Sequence, residues 1–158
     1  ELGKLKRKSI INAWLQHLQA CAYGNHPRNT ILLSRSSSYT KQDQYELSIE
    51  FKSLPKEDSL TILDTIYSLV DQGRVQCWPI PPESGWEIAK AIFAKKNLGH
   101  EEFKRAWVGS YRKEGERSKP EMTISFGNNA ETNIFLESEV FRKCLKDLYE
   151  PLLTNLIK

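Results

Sequence analysis

The feature that most constrains this chain is a strict alternation of apolar and polar residues. Residues 45–52 read Tyr-Glu-Leu-Ser-Ile-Glu-Phe-Lys, so that every second side chain is apolar. Successive side chains of a strand point to opposite faces, and this pattern is typical of a strand with one buried face. The short apolar run 30–33 precedes it and predicts a partner strand. The polar, serine-containing segment 34–44 would connect the two.

Apolar residues at helical spacing predict helices in much of the remaining chain. The first helix carries Ile11, Trp14, Leu15, Leu18 and Ala22 on one face, and Gly24-Asn25-His26-Pro27 should end it. His17 lies near this apolar stripe, which favours a structural role over a catalytic one. Four further helices are predicted, at about 55–73, 84–93, 100–107 and from near Ser138 onward, the last with a kink at Pro151.

Three more strands complete the predicted fold. Residues 74–80 form the first, ended by prolines, and 122–126 with 132–136 form a hairpin around Gly127-Asn128-Asn129. The sequence therefore predicts an α+β fold, in which a largely antiparallel sheet of about five strands is packed with about five helices. We expect one domain over residues 1–158, a fragment of a longer protein.

Several function classes lack their characteristic residues. The cysteines, Cys21, Cys77 and Cys144, are odd in number and widely spaced, which does not indicate a disulfide framework. None pairs with a histidine at zinc-ligand spacing, and no apolar run reaches the ~20 residues of a membrane helix. Glycine-rich phosphate loops and nucleophile motifs are also missing. We therefore expect a cytoplasmic protein that is not an enzyme, needs no metal or cofactor and contacts no membrane.

The strongest functional signal is the basic stretch 90–119, which holds nine positive and four negative residues. Cations attract nucleic-acid phosphates, and aromatic rings between them can stack on bases. The expected phosphate contacts are Lys95, Lys96, Lys104, Arg105, Arg112, Lys113, Arg117 and Lys119. Tyr111 would add stacking. Trp107 could do the same, although burial is the better interpretation of that residue.

Much of this basic stretch falls in Gly109–Pro120, which predicts a long polar loop that is mobile when free and ordered on DNA. The alternative is an ordinary solvated surface. Four acids favour that alternative because they would repel DNA: Glu101, Glu102, Glu114 and Glu116.

A nuclease is a less favoured hypothesis. Glu50-Phe51-Lys52 matches half of a metal-dependent nuclease signature, in which an upstream Asp completes the metal site. The only acid shortly upstream is Asp43, in the segment that connects the two strands. A short motif without its context arises easily by chance on an alternating strand.

The chain resembles the carboxy-terminal region of TnsE-type transposon target-selection proteins. The resemblance is clearest in Ser84-Gly85-Trp86-Glu87-Ile88-Ala89-Lys90 and in Phe103-Lys104-Arg105-Ala106-Trp107-Val108-Gly109-Ser110-Tyr111-Arg112-Lys113. It implies a non-catalytic DNA-binding domain for transposition that recognises DNA structure associated with replication. It also implies other transposition proteins as partners, and a replication sliding clamp bound through regions outside this chain.

An alternative to DNA binding is a protein docking module of a transposition or DNA-repair complex. The kinked last helix and the surplus of apolar residues in the Leu60–Val70 helix would serve such a role.

Overall fold

The computed structural model describes residues 7–24, 28–35, 45–94, 98–111, 113–128 and 130–157, with only the backbone at 34, 35, 45–48 and 94. These ranges are mostly helical, with seven α-helices and five strands in two small sheets. The expected fold around a single five-stranded sheet is therefore wrong. The chain divides into two compact units, Glu1–Thr65 with Asn155–Lys158, and Ile66–Thr154.

The first unit contains helix α1 (Arg7–Tyr23) and a three-stranded antiparallel sheet. Strand β2 (Tyr45–Phe51) lies in the centre, between β1 (Thr30–Arg35) and β5 (Leu156–Ile157). The predictions of α1, β1 and β2 are confirmed. At the end of β2, Phe51 is fully buried, whereas Ile49 and Glu50 are both half-buried, so only part of the expected alternation is seen.

The core of the first unit contains a cluster of three rings. Trp14 stacks on His17 with ring centroids 5.5 Å apart, and Phe51 lies 5.2 Å from Trp14. The imidazole of His17 is buried and joins three segments. Its Nε2 lies 3.0 Å from the carbonyl oxygen of Lys52, and its Nδ1 lies 2.9 Å from Oγ1 of Thr30. A carbonyl only accepts, so Nε2 carries the proton and Nδ1 accepts from the Thr30 hydroxyl.

The environment of His17 favours the neutral imidazole. Burial lowers the pKa of His17 below its ordinary value, and the hydrogen bond to the Lys52 carbonyl opposes this in part. His17 is thus a structural residue, as its position on the apolar stripe indicated.

Helix α2 (Lys56–Gly73) begins in the first unit and continues into the second. Acids in its first turn, Glu57 and Asp58, suit the positive end of the helix dipole. Only Ser59 and Leu63 of this helix are buried. The helix itself is confirmed at its predicted position.

The second unit continues with α3 (Pro82–Ala89), which runs into a π-helical turn at Lys90–Ala94. It then contains α4 (His100–Val108), strands β3 (Gly109–Ser110) and β4 (Lys113–Glu114), and a 3₁₀-helix at Glu116–Ser118. Helices α5 (Pro120–Phe126), α6 (Asn133–Leu136) and α7 (Glu139–Thr154) complete it, with Pro151 inside α7.

Five aromatic rings form a cluster in the core of the second unit. Phe135, on the single turn of α6, is fully buried at its centre. Its ring centroid lies 4.8–5.8 Å from those of four neighbours, Phe103, Trp107, Phe126 and Phe141. Edge-to-face and tilted contacts of this kind add to the free energy gained by burying the rings.

Two parts of the predicted sheet are absent from the described residues of this unit. The segment 74–80 forms no strand: turns with Arg74 N–H bonded to Asp71 and Val75 N–H to Gln72 follow α2. The predicted hairpin 122–136 forms helices α5 and α6. Pro120 starts α5 at a position where a missing N–H costs nothing. Gly127, with φ of 84°, ends it and does not form a hairpin turn.

Candidate nucleic-acid interface

Three exposed cations of the second unit lie at the end of α4 and on the hairpin that follows it. Lys104 and Arg105 are exposed on α4, and Lys113 is exposed on β4. Strands β3 and β4 pair through Gly109 with Glu114 and Ser110 with Lys113, so only two residues connect them. We call residues 104–119, from Lys104 to Lys119, the basic surface. Within the described chain, Lys104, Arg105 and Lys113 form no ion pair.

Two glycines fix the base of this hairpin. The N–H of Gly109 bonds to the carbonyl of Arg105, and Gly109 has a φ of 87°, which favours glycine. A Cβ atom on Gly109 would overlap the backbone of Gly115, and one on Gly115 would overlap the backbone of Trp107 and Val108. The backbone at both positions is too close to accept a side chain. The prediction of one long polar loop is therefore wrong: the described residues form a hairpin and a 3₁₀-helix. The mobility expected for the free segment stays a prediction.

Glu116 points inward and holds this segment against α3. Its side chain is 1% exposed. Its carboxylate accepts hydrogen bonds from the N–H of Glu83 at 2.8 Å, and from the N–H and hydroxyl of Ser84 at 2.6 and 2.7 Å. These N–H groups lie in the first turn of α3, where the helix itself provides no acceptor for them. Glu116 is therefore withdrawn from the surface, where the sequence placed it as a repelling charge.

A second contact ties the same two segments together. The ammonium of Lys119 donates to the carboxylate of Glu83 at 2.6 Å. This hydrogen bond, with further charge attraction from nearby acids, raises the pKa of Lys119. Lys119 is thus committed to Glu83 and is a weaker candidate for phosphate contact than Lys104 or Arg105. Arg117 is half-buried.

The two aromatic candidates have opposite environments. Trp107 is fully buried in the five-ring core, and its indole N–H donates to the carbonyl of Ala130 at 2.8 Å. The stacking role considered for Trp107 is therefore wrong, and the expectation of burial is correct. Tyr111 is fully exposed next to the end of β3.

The remaining candidates lie outside the described residues. These are Lys95, Lys96 and Arg112. The structure thus brings together Lys104, Arg105, Tyr111 and Lys113 on one helix and the hairpin joined to it. The residues that fix this arrangement, Glu116 and Ser84, lie 32 positions apart, and no local pattern could have paired them.

The nuclease hypothesis gains little from the geometry of the sheet. Glu50 accepts a hydrogen bond from the side-chain amide of Asn29 at 2.7 Å, and β1 beside it contains no acid. In the described ranges, no group of three or more His, Cys, Asp or Glu residues is arranged to hold a metal ion. Asp43 lies outside those ranges.

The docking alternative has exposed apolar side chains available on α2, where Tyr67 and Val70 are about half exposed. The part of the chain that the structure describes does not show what would cover them. No described helix combines the length and apolar character that a membrane span requires.

The cysteines differ in exposure. All three are free thiols, with Cys21 and Cys144 buried and Cys77 exposed. Burial raises the pKa of the Cys144 thiol to about 11, which keeps it protonated and unreactive at neutral pH.

Taken together, the geometry defines a mostly helical protein with a basic surface on one helix and its hairpin. The comparison with known families gives a narrower assignment. The model of the RecC C-terminal domain matches residues 1–93, more than half of the chain, and the chain belongs to that family. No curated protein gives a significant match. The family match supports a role related to DNA binding and recombination, but it does not support the TnsE-type resemblance specifically.

Proposed function

We propose that this chain is a non-catalytic DNA-binding module of a recombination protein, and that its basic surface contacts DNA phosphates. The observation that carries the proposal is the group of exposed cations, Lys104, Arg105 and Lys113, which have no carboxylate partner within the described chain. When protein cations neutralise phosphates, counterions condensed on the DNA are released, and this drives binding without reading the base sequence.

The orientation of the neighbouring acid supports the proposal. Glu116 would weaken an anion-binding surface if it faced solvent. Its carboxylate is instead buried and accepts hydrogen bonds from N–H groups in the first turn of α3. Glu114 and Glu101 remain exposed. The surface is therefore more basic than the sequence alone suggests, although it is not purely basic.

The family match supports the proposal from the other part of the chain. It ends at residue 93, before α4, so the basic surface lies beyond the matched residues. The family and the surface are thus separate arguments for the same role. The narrower role implied by the TnsE-type resemblance, target selection with a sliding clamp as partner, has no support in the match, and the proposal does not extend to it.

The test is DNA binding by a double variant with a charge-matched control. Lys104→Ala with Arg105→Ala removes two cations from the basic surface. Lys143→Ala with Lys146→Ala removes two exposed cations from α7. Affinity would be measured by fluorescence anisotropy on a labelled duplex at several salt concentrations.

We expect the first variant to bind more weakly at low salt, with a salt slope smaller by roughly 0.9 for each phosphate that is no longer neutralised. The control variant should bind like the unmodified protein. Equal reductions of affinity in both variants would mean that only net charge matters, and an unchanged first variant would remove this surface from the proposal.

A further inference from the structure

Strand β1 forms an edge of the three-stranded sheet in the first unit. In the described chain its one strand neighbour is β2. The N–H of Lys52, just after β2, bonds to the carbonyl of Asn155 on the β5 side. Successive residues of a strand direct their backbone groups to opposite edges, so Phe51 points toward its β1 partner Thr30. Ile31, the next residue of β1, therefore directs its N–H and carbonyl away from β2.

The backbone of Leu33 has the same orientation as that of Ile31. The register shift beside it skips Ser48 of β2, so the alternation along β1 continues. The side chains of Ile31 and Leu33 share one face of the strand and are 54% and 53% exposed. Edge strands are commonly protected from further pairing by charged residues or proline. Residues 30–34 contain neither, so this stretch combines exposed apolar side chains with backbone groups that β2 does not use.

The sequence of β1 complements itself in the antiparallel direction. A two-fold axis at Leu32 would pair apolar residues with apolar residues and hydroxyl residues with hydroxyl residues. The facing positions, one from each copy, are Ile31 with Leu33, Thr30 with Ser34 and Asn29 with Arg35. No like charges face each other, and apolar and hydroxyl pairs of this kind stabilise antiparallel strands. The interface of a two-fold dimer has to be self-complementary in this way.

The orientation of the backbone disfavours the neighbouring registers. Pairing has to bring Ile31 and Leu33 into register with each other or with themselves, because their backbone groups point outward. An axis at Ile31 would set Leu33 against Asn29 of the second copy, and an axis at Leu33 would set Ile31 against Arg35. Of these three registers, the one centred on Leu32 is the one in which the two exposed apolar residues face each other.

We propose that two copies of this chain associate through β1, antiparallel and centred on Leu32, so that their sheets join into one. The occupant of the edge is a second copy because the stretch matches its own sequence. One strand from each copy makes a small interface, at the low end for specific complexes, so we expect a weak, concentration-dependent dimer. The inference concerns the first unit and does not depend on the basic surface or on DNA.

The test uses two double variants that share one substitution. Ile31→Lys with Leu33→Lys sets lysine against lysine at both facing positions, whereas Ile31→Lys with Leu33→Glu sets lysine against glutamate there. The control, Tyr67→Lys with Val70→Lys, adds the same charge as the first variant at exposed apolar residues of α2. Sedimentation equilibrium over a wide range of protein concentrations would give the dissociation constant of each dimer.

The unmodified chain should show a monomer–dimer equilibrium. The variant with two lysines should raise the dissociation constant roughly 10-fold, because two symmetric like-charge pairs oppose the pairing. The variant with lysine and glutamate should dimerise more tightly than the variant with two lysines, and the control should dimerise like the unmodified chain. All four proteins should give the same circular dichroism spectrum, because every substituted side chain is exposed.

Three results would overturn the inference. A chain that stays monomeric at the highest concentration does not pair through this edge. Equal weakening in both β1 variants would mean that Ile31 and Leu33 do not face each other, and the register centred on Leu32 would be wrong. Weakening in the control equal to that in the variant with two lysines would mean that net charge, and not β1, governs the association.

Discussion

The two compact units use a buried polar side chain in different ways. In the first unit, His17 lies inside the ring cluster with Trp14 and Phe51, and it both donates and accepts hydrogen bonds. In the second unit, the five-ring cluster contains no polar side chain other than the Trp107 indole, and the buried Glu116 contacts the start of α3 and only accepts. His17 thus links α1 to the segments of β1 and β2, whereas Glu116 links the segment of the basic surface to α3.

The difference shows what a buried polar group contributes. Each group joins segments that are far apart in sequence, 35 residues for His17 with Lys52 and 32 for Glu116 with Ser84. Burial lowers the pKa of His17, so the neutral imidazole is favoured and the stability of the first unit depends on pH. Glu116 takes up N–H groups that would otherwise be unsatisfied, and so gives a polar segment a single conformation.

The largest effect should come from the apolar core of the second unit. Phe135→Ala removes the ring that contacts four others, and we expect a loss of about 3–5 kcal/mol in the free energy of unfolding. Ile134→Ala, at a half-exposed neighbour on the same helix, is the control and should cost far less. Denaturant unfolding would measure both. Similar losses for the two variants would mean that the ring cluster is not the centre of this core.

The next effect should come from Glu116. Replacement by Ala leaves the N–H groups of Glu83 and Ser84 without an acceptor, at an expected cost of about 2–3 kcal/mol. The amide of Ser84 should then exchange its hydrogen faster than in the unmodified chain. Glu116→Gln keeps one acceptor oxygen, so its stability and its exchange rate at Ser84 should lie between those of the unmodified chain and Glu116→Ala. Unchanged exchange at Ser84 would contradict the assigned role of Glu116.

A pH-dependent loss of stability should follow from His17. Its pKa is lowered in the folded chain, so the unfolded chain binds a proton more readily. The stabilisation that neutral His17 contributes is therefore fully present above pH 6.5, its ordinary pKa. It is lost as the pH falls from there through the lowered pKa of the folded chain. Unfolding between about pH 8 and pH 5 would show the loss, over the range in which histidine titrates.

The control for this prediction is His17→Gln, which cannot take up the proton. Its free energy of unfolding should vary less over the same pH range than that of the unmodified chain. If both proteins lose stability in parallel as the pH falls, other groups are responsible for the acid sensitivity.

The smallest effect should come from Lys119. Its ion pair with Glu83 is more than a third exposed, and water screens such pairs, so Lys119→Ala should cost less than about 1 kcal/mol. Thermal unfolding in low and high salt would measure this. A cost as large as that of Glu116→Ala would mean that the exposed ion pair, and not the buried carboxylate, fastens the basic surface to α3.

The sequence predicted the elements whose side chains follow a regular period. Strand β2 and helices α1, α2, α4 and α7 were correctly located because their apolar residues recur at the spacing of the element. The period was misleading at 122–126, where Met122, Ile124 and Phe126 alternate as in a strand. In α5, Ile124 is largely exposed, so the alternation does not mark a buried face. Pro120 followed by Glu121 was the better signal.

The candidate site was only partly predictable. Exposed cations such as Lys104 and Arg105 could be identified by charge alone. The burial of Glu116 could not, because its partners are distant in the chain and glutamate is normally a surface residue. A segment rich in charge and glycine was therefore interpreted as a loop, although its glycines serve the close approach at the base of the hairpin.

That close approach of glycines also determines where this segment can change without harm. Any substitution at Gly109 or Gly115 brings a Cβ atom into backbone, so both positions should tolerate no other amino acid. Tyr111, which follows β3, meets no such restriction because its side chain is fully exposed to solvent. Substitution of Tyr111 should therefore leave the fold of the hairpin unchanged. A residue inserted between Glu114 and Gly115 would instead shift Gly115 away from Gly109 and open the hairpin.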